Sequence, residues 1–334
     1  MTRRAANEWM RARGRGAALL AVLVLVALMA VIATLMLDRL NLATRLAANS
    51  QAMAQARIYA ASVEQVTLAR LTQLVAMDED KTVDRINLLG RETVLPLGRG
   101  SAMVMVEDAS NCFNVNAMGA GRDGNGGRFD TPARNQFVRL MEGLQVPSND
   151  AQAIADSLGD WVDEDGNVRG GGAEDDYYLG LPTPYRTPNR AIVELSELRS
   201  IKGMSEPIYR RLYPWLCALP TGDDAKVNVN TLRPDQARLI AAMSPGLDVN
   251  RARAFIASRP ETGWNSMSEA LGMMARGDNA VFGAGALRQM AIKSEMFTIR
   301  IRVMVDNIEL TEVALVDATQ EGSRVIARSW GEQP

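Results

Sequence analysis

Residues 17–37 are apolar apart from Thr34, and nothing else in the chain limits its folding so strongly. A helix needs about 20 such residues to cross a ~30 Å hydrocarbon core, and a helix satisfies its own backbone groups where lipid cannot. Arg3, Arg4, Arg11, Arg13 and Arg15 precede the run, offset only by Glu8. The positive-inside tendency therefore holds this end in the cytoplasm and sends the remainder across. A secretory signal peptide is the rival reading, but its apolar core spans about 7–15 residues before a small-residue cleavage site. This run is longer, and no glycine or proline follows it until Gly90.

Alanine, leucine, glutamine and arginine dominate as far as Leu74, all of them good helix formers. Tyr59, Val63 and Val66, then Leu68, Leu71 and Val75, recur at three- and four-residue spacing, as a buried stripe does. One helix over residues 17–75 is expected, roughly 90 Å long at ~1.5 Å per residue. Half of it lies in lipid and half packs on a domain.

Residues 101–106 and 113–116 read as short strands. Far downstream, Ile299, Ile301, Val303 and Val305 alternate with Arg300, Arg302 and Met304, and apolar segments at 313–316 and 325–327 follow. These form a small antiparallel meander covered on one face by the long helix. Between the strand-rich segments, residues 131–292 carry a helical pattern, with helices expected at 133–144, 151–162, 192–198, 206–219, 234–243 and 249–257. The fold class is α+β, with an all-helical domain inserted into the sheet unit.

Composition removes several functions. The chain has no histidine, so it lacks the usual general base near neutral pH and the commonest metal ligand. Serine–histidine and cysteine–histidine pairs and two-histidine zinc sites are excluded. The net charge of −2 gives no global attraction to nucleic acid. Cys112 and Cys217 have no metal-ligand spacing; in an exported domain they either pair as a disulfide or remain two buried thiols.

Asp160, Asp163, Glu164, Asp165 and Asn167 precede Gly170, Gly171 and Gly172, and Glu174, Asp175 and Asp176 follow. Carboxylates this close repel, and calcium accepts about 6–8 oxygens from irregular loops. Counted from Asp163, the donors Asp163, Asp165, Asn167 and Glu174 match the EF-hand offsets, but Val168 stands where the turn glycine belongs. The loop is EF-like rather than an EF-hand, and a solvated acidic loop tip is the alternative.

Arg13-Gly14-Arg15-Gly16 followed by Ala17-Ala18-Leu19-Leu20 resembles a type IV pilin-like leader. Such leaders are cut by a prepilin peptidase, here between Gly16 and Ala17. Pilin-like proteins usually carry glutamate at the fifth mature position, here Ala21, and the K-type minor pseudopilin of type II secretion systems lacks that acid. The chain resembles this K-type family along nearly its whole length. Asp160-Trp161-Val162-Asp163, Gly172-Ala173-Glu174-Asp175, Glu197-Leu198-Arg199 with Gly203-Met204, and Val227-Asn228-Val229-Asn230-Thr231 carry the likeness.

The resemblance implies a non-enzymatic assembly component that caps the tip of the secretion pseudopilus. It implies a leader at 1–16, a transmembrane segment at 17–37, a periplasmic helix with first pilin-like strands at 38–130, the helical insertion at 131–292 and closing strands at 293–334. The anchor lies in the bacterial inner membrane, among its lipids, with the C-terminal domain in the periplasm. Implied partners are the I- and J-type minor pseudopilins, other pseudopilus and inner-membrane secretion components, and the prepilin peptidase. It also implies one or two calcium ions in the acidic loop, with Asp163, Asp165, Glu174 and Asp175 as first ligands and Asp160 and Asp176 beside them.

Two rivals come from the same residues. The segment 195–205 leading into 208–219, and a looser one from Leu239 through Gly246 to Ile256, resemble helix-hairpin-helix units that bind DNA phosphates. A membrane-anchored DNA-binding or uptake protein would use them so. Yet Glu194, Glu197 and Glu206 surround Arg199 and Lys202, and Met204 and Ser205 follow Gly203 where a second glycine is expected. Phosphate binding gains from surplus lysine and arginine, so no nucleic-acid partner is expected. A glycosidase-like carboxylate pair requires fixed separation, which adjacent acids on a loop do not supply.

Overall fold

The computed structural model describes residues 3–120, 131–220, 226–274, 287–319 and 321–331. Helix α1 runs unbroken over Arg3–Ala76, ending one residue past the expected Val75. Strands β1 (Thr93–Pro96) and β2 (Ser101–Asp108) follow, then the two-residue β3 (Phe113–Asn114). Helices α2 (Pro132–Gly143), α3 (Ser148–Val162), α4 (Asp175–Leu179) and α5 (Glu206–Leu212) lead to β4 (Leu216–Cys217) and β5 (Val227–Asn228). Helices α6 (Ala237–Met243), α7 (Val249–Ala257) and α8 (Met267–Met274) precede β6 (Met290–Ala291). The chain closes with β7 (Met296–Val305), β8 (Ile308–Thr319) and β9 (Gly322–Trp330).

Five strands form one antiparallel sheet in the order β1-β2-β7-β8-β9. Alternation sets its two faces: Phe297, Ile299, Ile301, Val303 and Val305 of β7 are buried while the residues between them are not. Ala56, Ala60, Val63, Leu71 and Leu74 of α1 cover the buried face. Small alanines let the helix lie close to the strands. Val66 belongs to the expected stripe but is 56% exposed, because it lies past one edge of the buried stripe, about 60° round the helix from Val63 and away from Thr67 and Leu71. The apolar residues from Leu19 to Leu46 stand exposed along the rest of α1, in a helix long and apolar enough to cross a membrane.

Strands β2 and β7 are neighbours. Asp108 sits opposite Phe297, and Ala109 N donates to Met296 O at 2.9 Å. The chain thus leaves the sheet and re-enters it at one point, and everything between is an insertion into a hairpin. That insertion has its own core around Phe137, Ile154, Leu158, Leu198, Leu212, Ile240 and Trp264. The buried carboxylate of Asp108 ties the two parts together, accepting from Ser110 Oγ and Thr231 Oγ1, each at 2.5 Å, and from Ser294 Oγ. Burial pushes this carboxyl above its usual range, and those hydroxyls oppose the push.

The insertion departs from an all-helical unit. Residues 113–116, expected as a sheet strand, give only Phe113–Asn114, paired in parallel with β4, and then a 3-10 turn over Val115–Ala120. Phe113, Val115 and Met118 pack into the insertion's core, so that core takes in residues ahead of 131. A second short parallel pair joins β5 to β6. The helix expected at 206–219 stops at Leu212 and tightens into a 3-10 turn over Tyr213–Trp215, because Pro214 has no N–H to continue the α-helical bonding. Residues 192–198 give a 3-10 turn over Leu195–Ser200 in place of a helix. Helices α4 and α8 and strand β1 have no counterpart in the expected elements, whereas α7 matches its expected bounds.

Candidate functional site

The acidic loop folds back on the last turns of α3. Asp156 and Asp160, one turn apart, point into it. Asp156 pairs with Arg134 of α2 (2.6 Å) and accepts from Gly171 N (3.0 Å). Asp160 is fully buried and accepts from Arg169 N (3.2 Å) and Arg169 Nη1 (3.1 Å). The same guanidinium reaches Asp163 through Nη2 at 2.7 Å. Gly172 is obligatory in this turn, since a Cβ there would collide with the Asp160 carboxylate.

Burial pushes Asp160 up to about 6; Arg169 pulls against this and Asp163 adds to it. Glu174 is 5% exposed, and its Oε1 has no hydrogen-bond partner. Burial pushes it up to about 7, resisted by the hydrogen bond from Thr187 Oγ1 (3.1 Å) and reinforced by the charges of Asp160, Asp163 and Asp165. Asp160, Asp163, Asp165 and Glu174 therefore make one electrostatic cluster. Asp165 also accepts from Asn167 N at 2.9 Å and, through its carbonyl, from Asn189 Nδ2 at 3.3 Å.

Asp175 faces elsewhere. It accepts from Thr187 N and Thr187 Oγ1, both at 3.0 Å, and pairs with Arg186. Desolvation pushes its carboxyl upward, but these partners outweigh it and the net displacement is downward. Asp176 is exposed on the first turn of α4. Among the described residues no three carboxylates already meet as a closed ligand set, because Arg169 stands between Asp160 and Asp163. Asp156, Arg134 and Arg169 escaped sequence reasoning. The spacing of Asp156 from Asp160 on α3, and a lone arginine inside an acidic run, were the available signals.

The first hairpin segment supports this loop instead of presenting itself to phosphate. Gly203 adopts φ +85° and packs against Ile154 of α3. Lys202 Nζ donates to the carbonyls of Gly172 (2.8 Å) and Gly171 (3.3 Å) and lies 5.0 Å from the Tyr177 ring centre. Arg199 stacks over Tyr209 at 4.4 Å and pairs with Glu206 at 3.4 Å. These cations serve internal partners. Just beyond the second segment, Arg259 donates to the Val229 and Leu232 carbonyls at 3.0 and 2.7 Å, a structural task.

Cys112 and Cys217 form a disulfide with Cα atoms 5.8 Å apart, beside the β3–β4 pair. Gly16 and Ala17 fall inside the unbroken run of α1, and their side chains lie outside the described residues.

The family profile of type II secretion system (T2SS) protein K matches residues 111–221 and, in a second part, 227–282. The type II secretion system protein K of Pectobacterium carotovorum subsp. carotovorum is 33% identical over 96% of this chain and 98% of its own length. The protein of the same name from Klebsiella pneumoniae is 32% identical with the same coverage. Among solved structures, a chain of the GspK-GspI-GspJ complex from the enterotoxigenic Escherichia coli type 2 secretion system superposes with a TM-score of 0.74. It is 29% identical, and the match covers 85% of this chain and 99% of that one.

Proposed function

This chain belongs to the type II secretion system protein K family and is a minor pseudopilin of that system, and we propose that it caps the tip of the pseudopilus. One observation carries the capping role: the inserted body grows from the crown of the β2–β7 hairpin, beyond the distal end of α1. It is fixed there by Lys81, which donates to Asn265 Oδ1 at 2.6 Å and Thr262 O at 3.0 Å, and by the Thr82–Ile292 backbone bond. A body so placed stands where the next subunit would have to stack. With Ala21 in place of an acid, the membrane half of α1 offers no carboxylate to a subunit above.

The hairpin supplies a direct test. Replacing residues 109–296 with a short turn reconnects Asp108 to its own ladder partner, Phe297. Loss of the cap predicts abnormally long pseudopili and impaired secretion. Normal length with normal secretion would overturn the role.

We read α1 laid on the antiparallel sheet as the pilin-like half of the molecule, and the two glycine-turn segments as helix-hairpin-helix-like packing devices. Residues 17–37 anchor the chain in the inner membrane with the body in the periplasm, after cleavage between Gly16 and Ala17. Mass spectrometry of the membrane-bound form should find a chain beginning at Ala17. The role is one of assembly, not catalysis. Its partners are the I- and J-type minor pseudopilins, by analogy with the GspK-GspI-GspJ complex. Co-purification of the three tests this.

Calcium fits the acidic loop. The partnerless, buried Glu174 Oε1 and the mutual repulsion of Asp160, Asp163, Asp165 and Glu174 are what a hard divalent cation relieves. Those four side chains would hold it, with Asp175 and Asp176 at the margin. When bound, the ion supplies charge neutralisation and cross-links the loop to α3.

A further inference from the structure

A second cluster of buried charge lies far from the acidic loop, where α1 meets the C-terminal hairpin. Glu64 of α1 and Glu312 of β8 are 3% and 1% exposed. Both rest on Arg328 of β9. Its Nη2 reaches Glu64 Oε2 at 2.7 Å and Oε1 at 2.9 Å, and its Nε reaches Glu312 Oε1 at 2.7 Å. The other Glu312 oxygen, Oε2, is buried and has no hydrogen-bond donor among the described residues.

Fully ionised, this group sets two buried negative charges against the single positive charge of the partly exposed Arg328. Among the described residues no further cation pairs with it. The ladder partners of Glu312 are Ile301 on β7 and Trp330 on β9, and the α1 residues around Glu64 on the buried stripe are Ala60, Thr67, Leu68 and Leu71. A buried, uncompensated carboxylate is too costly to persist, so the group takes up a neutralising partner. A proton on Glu312 Oε2 satisfies the orphaned oxygen by giving it a donor, and the neighbouring Glu64 carboxylate is the acceptor.

We propose that Glu312 carries a proton on Oε2 at neutral pH and donates it in a hydrogen bond to Glu64, and that this bond fastens α1 to the β8–β9 hairpin. Burial, then the hydrogen bond to Glu64, pushes Glu312 up to about 7, with Arg328 resisting. The sign follows. A carboxyl whose pKa rises on folding contributes stability that is complete below its unfolded value and is lost as pH climbs through about 7. Loss of the proton sets two buried carboxylates against each other across the seam. Strand β9 has one sheet neighbour, β8, and its other tie to α1 includes the Thr72–Ser323 hydrogen bond at 2.8 Å, so the hairpin is the part released.

The test is the melting temperature of the full-length chain in detergent micelles, with calcium in excess, between about pH 5 and about pH 8. Glu312→Gln fixes the neutral form, and Glu64→Gln removes the partner that raises Glu312. Wild type should lose about 3 °C or more across this range relative to either variant, and Glu312→Gln should melt above wild type at the alkaline end. Infrared difference spectra of wild type against Glu312→Gln should show a protonated carboxyl at neutral pH. Should Glu312→Gln fail to fold, the comparison of wild type with Glu64→Gln gives the same readout. Parallel pH profiles for wild type and the folded variants, or an infrared difference without that carboxyl, would overturn the protonated Glu312.

Discussion

In the acidic loop Arg169 lies between Asp160 and Asp163, whereas at the α1 seam Arg328 lies between Glu64 and Glu312. The arrangements look alike, but the charge left over differs. The loop adds Asp165 and Glu174 to its pair, so one guanidinium leaves several negative charges unmatched. The seam has a surplus of one. A single proton balances the seam; it cannot balance the loop, where Asp160, Asp163, Asp165 and Glu174 face one guanidinium. Reach differs as well: Arg169 is nine residues from Asp160, while Arg328 is 264 residues from Glu64. The loop therefore stabilises a local turn, and the seam joins the long N-terminal helix to the C-terminal hairpin.

The largest expected effect comes from Arg169→Gln in the presence of a chelator. It strands the fully buried Asp160 beside Asp163, and breaking such a pair costs about 3–5 kcal/mol. Urea unfolding should show most of that loss reversed by excess calcium. An equal loss with and without calcium would mean that Arg169 and the ion do not serve the same carboxylates. Arg328→Gln should cost less, about 2–3 kcal/mol, because that side chain is 40% exposed and water screens part of the damage. Its cost should be indifferent to calcium; a calcium-sensitive cost would abolish the distinction between the two clamps.

For the unmodified chain, chelation should lower the melting temperature, and calcium at 100 times its dissociation constant should restore about 2.7 kcal/mol by linkage. An unchanged melt in both conditions would remove calcium from the account. Asp176→Asn should be the mildest change, with neither the melt nor its calcium response altered, since Asp176 stands exposed on α4. A lost response would return Asp176 to the ligand set.

Much of this was legible in one dimension. The apolar run and the alternation at 297–305 pointed to α1 and β7, because both are periodic signals carried by neighbouring residues. The acidic run marked the loop that folds back on α3. What it did not reveal was direction: α4 begins at Asp175, turning Asp175 toward Thr187 and leaving Asp176 in solvent, while Asp156 and Asp160 reach in from α3. Val66 fits the three- and four-residue spacing yet faces outward, because spacing alone leaves the centre of the buried stripe undetermined.

By itself, then, the sequence determined that this protein has an apolar rod long enough to cross a membrane, a large body beyond it without histidine chemistry, and one strongly acidic loop. Those properties depend on composition and on short-range periodicity. Only the tertiary structure decided that Glu64, Glu312 and Arg328 form one charge group, and that the large body springs from a hairpin crown. The cost of a buried charge depends on which distant segments surround it, and no local pattern in the chain encodes those neighbours.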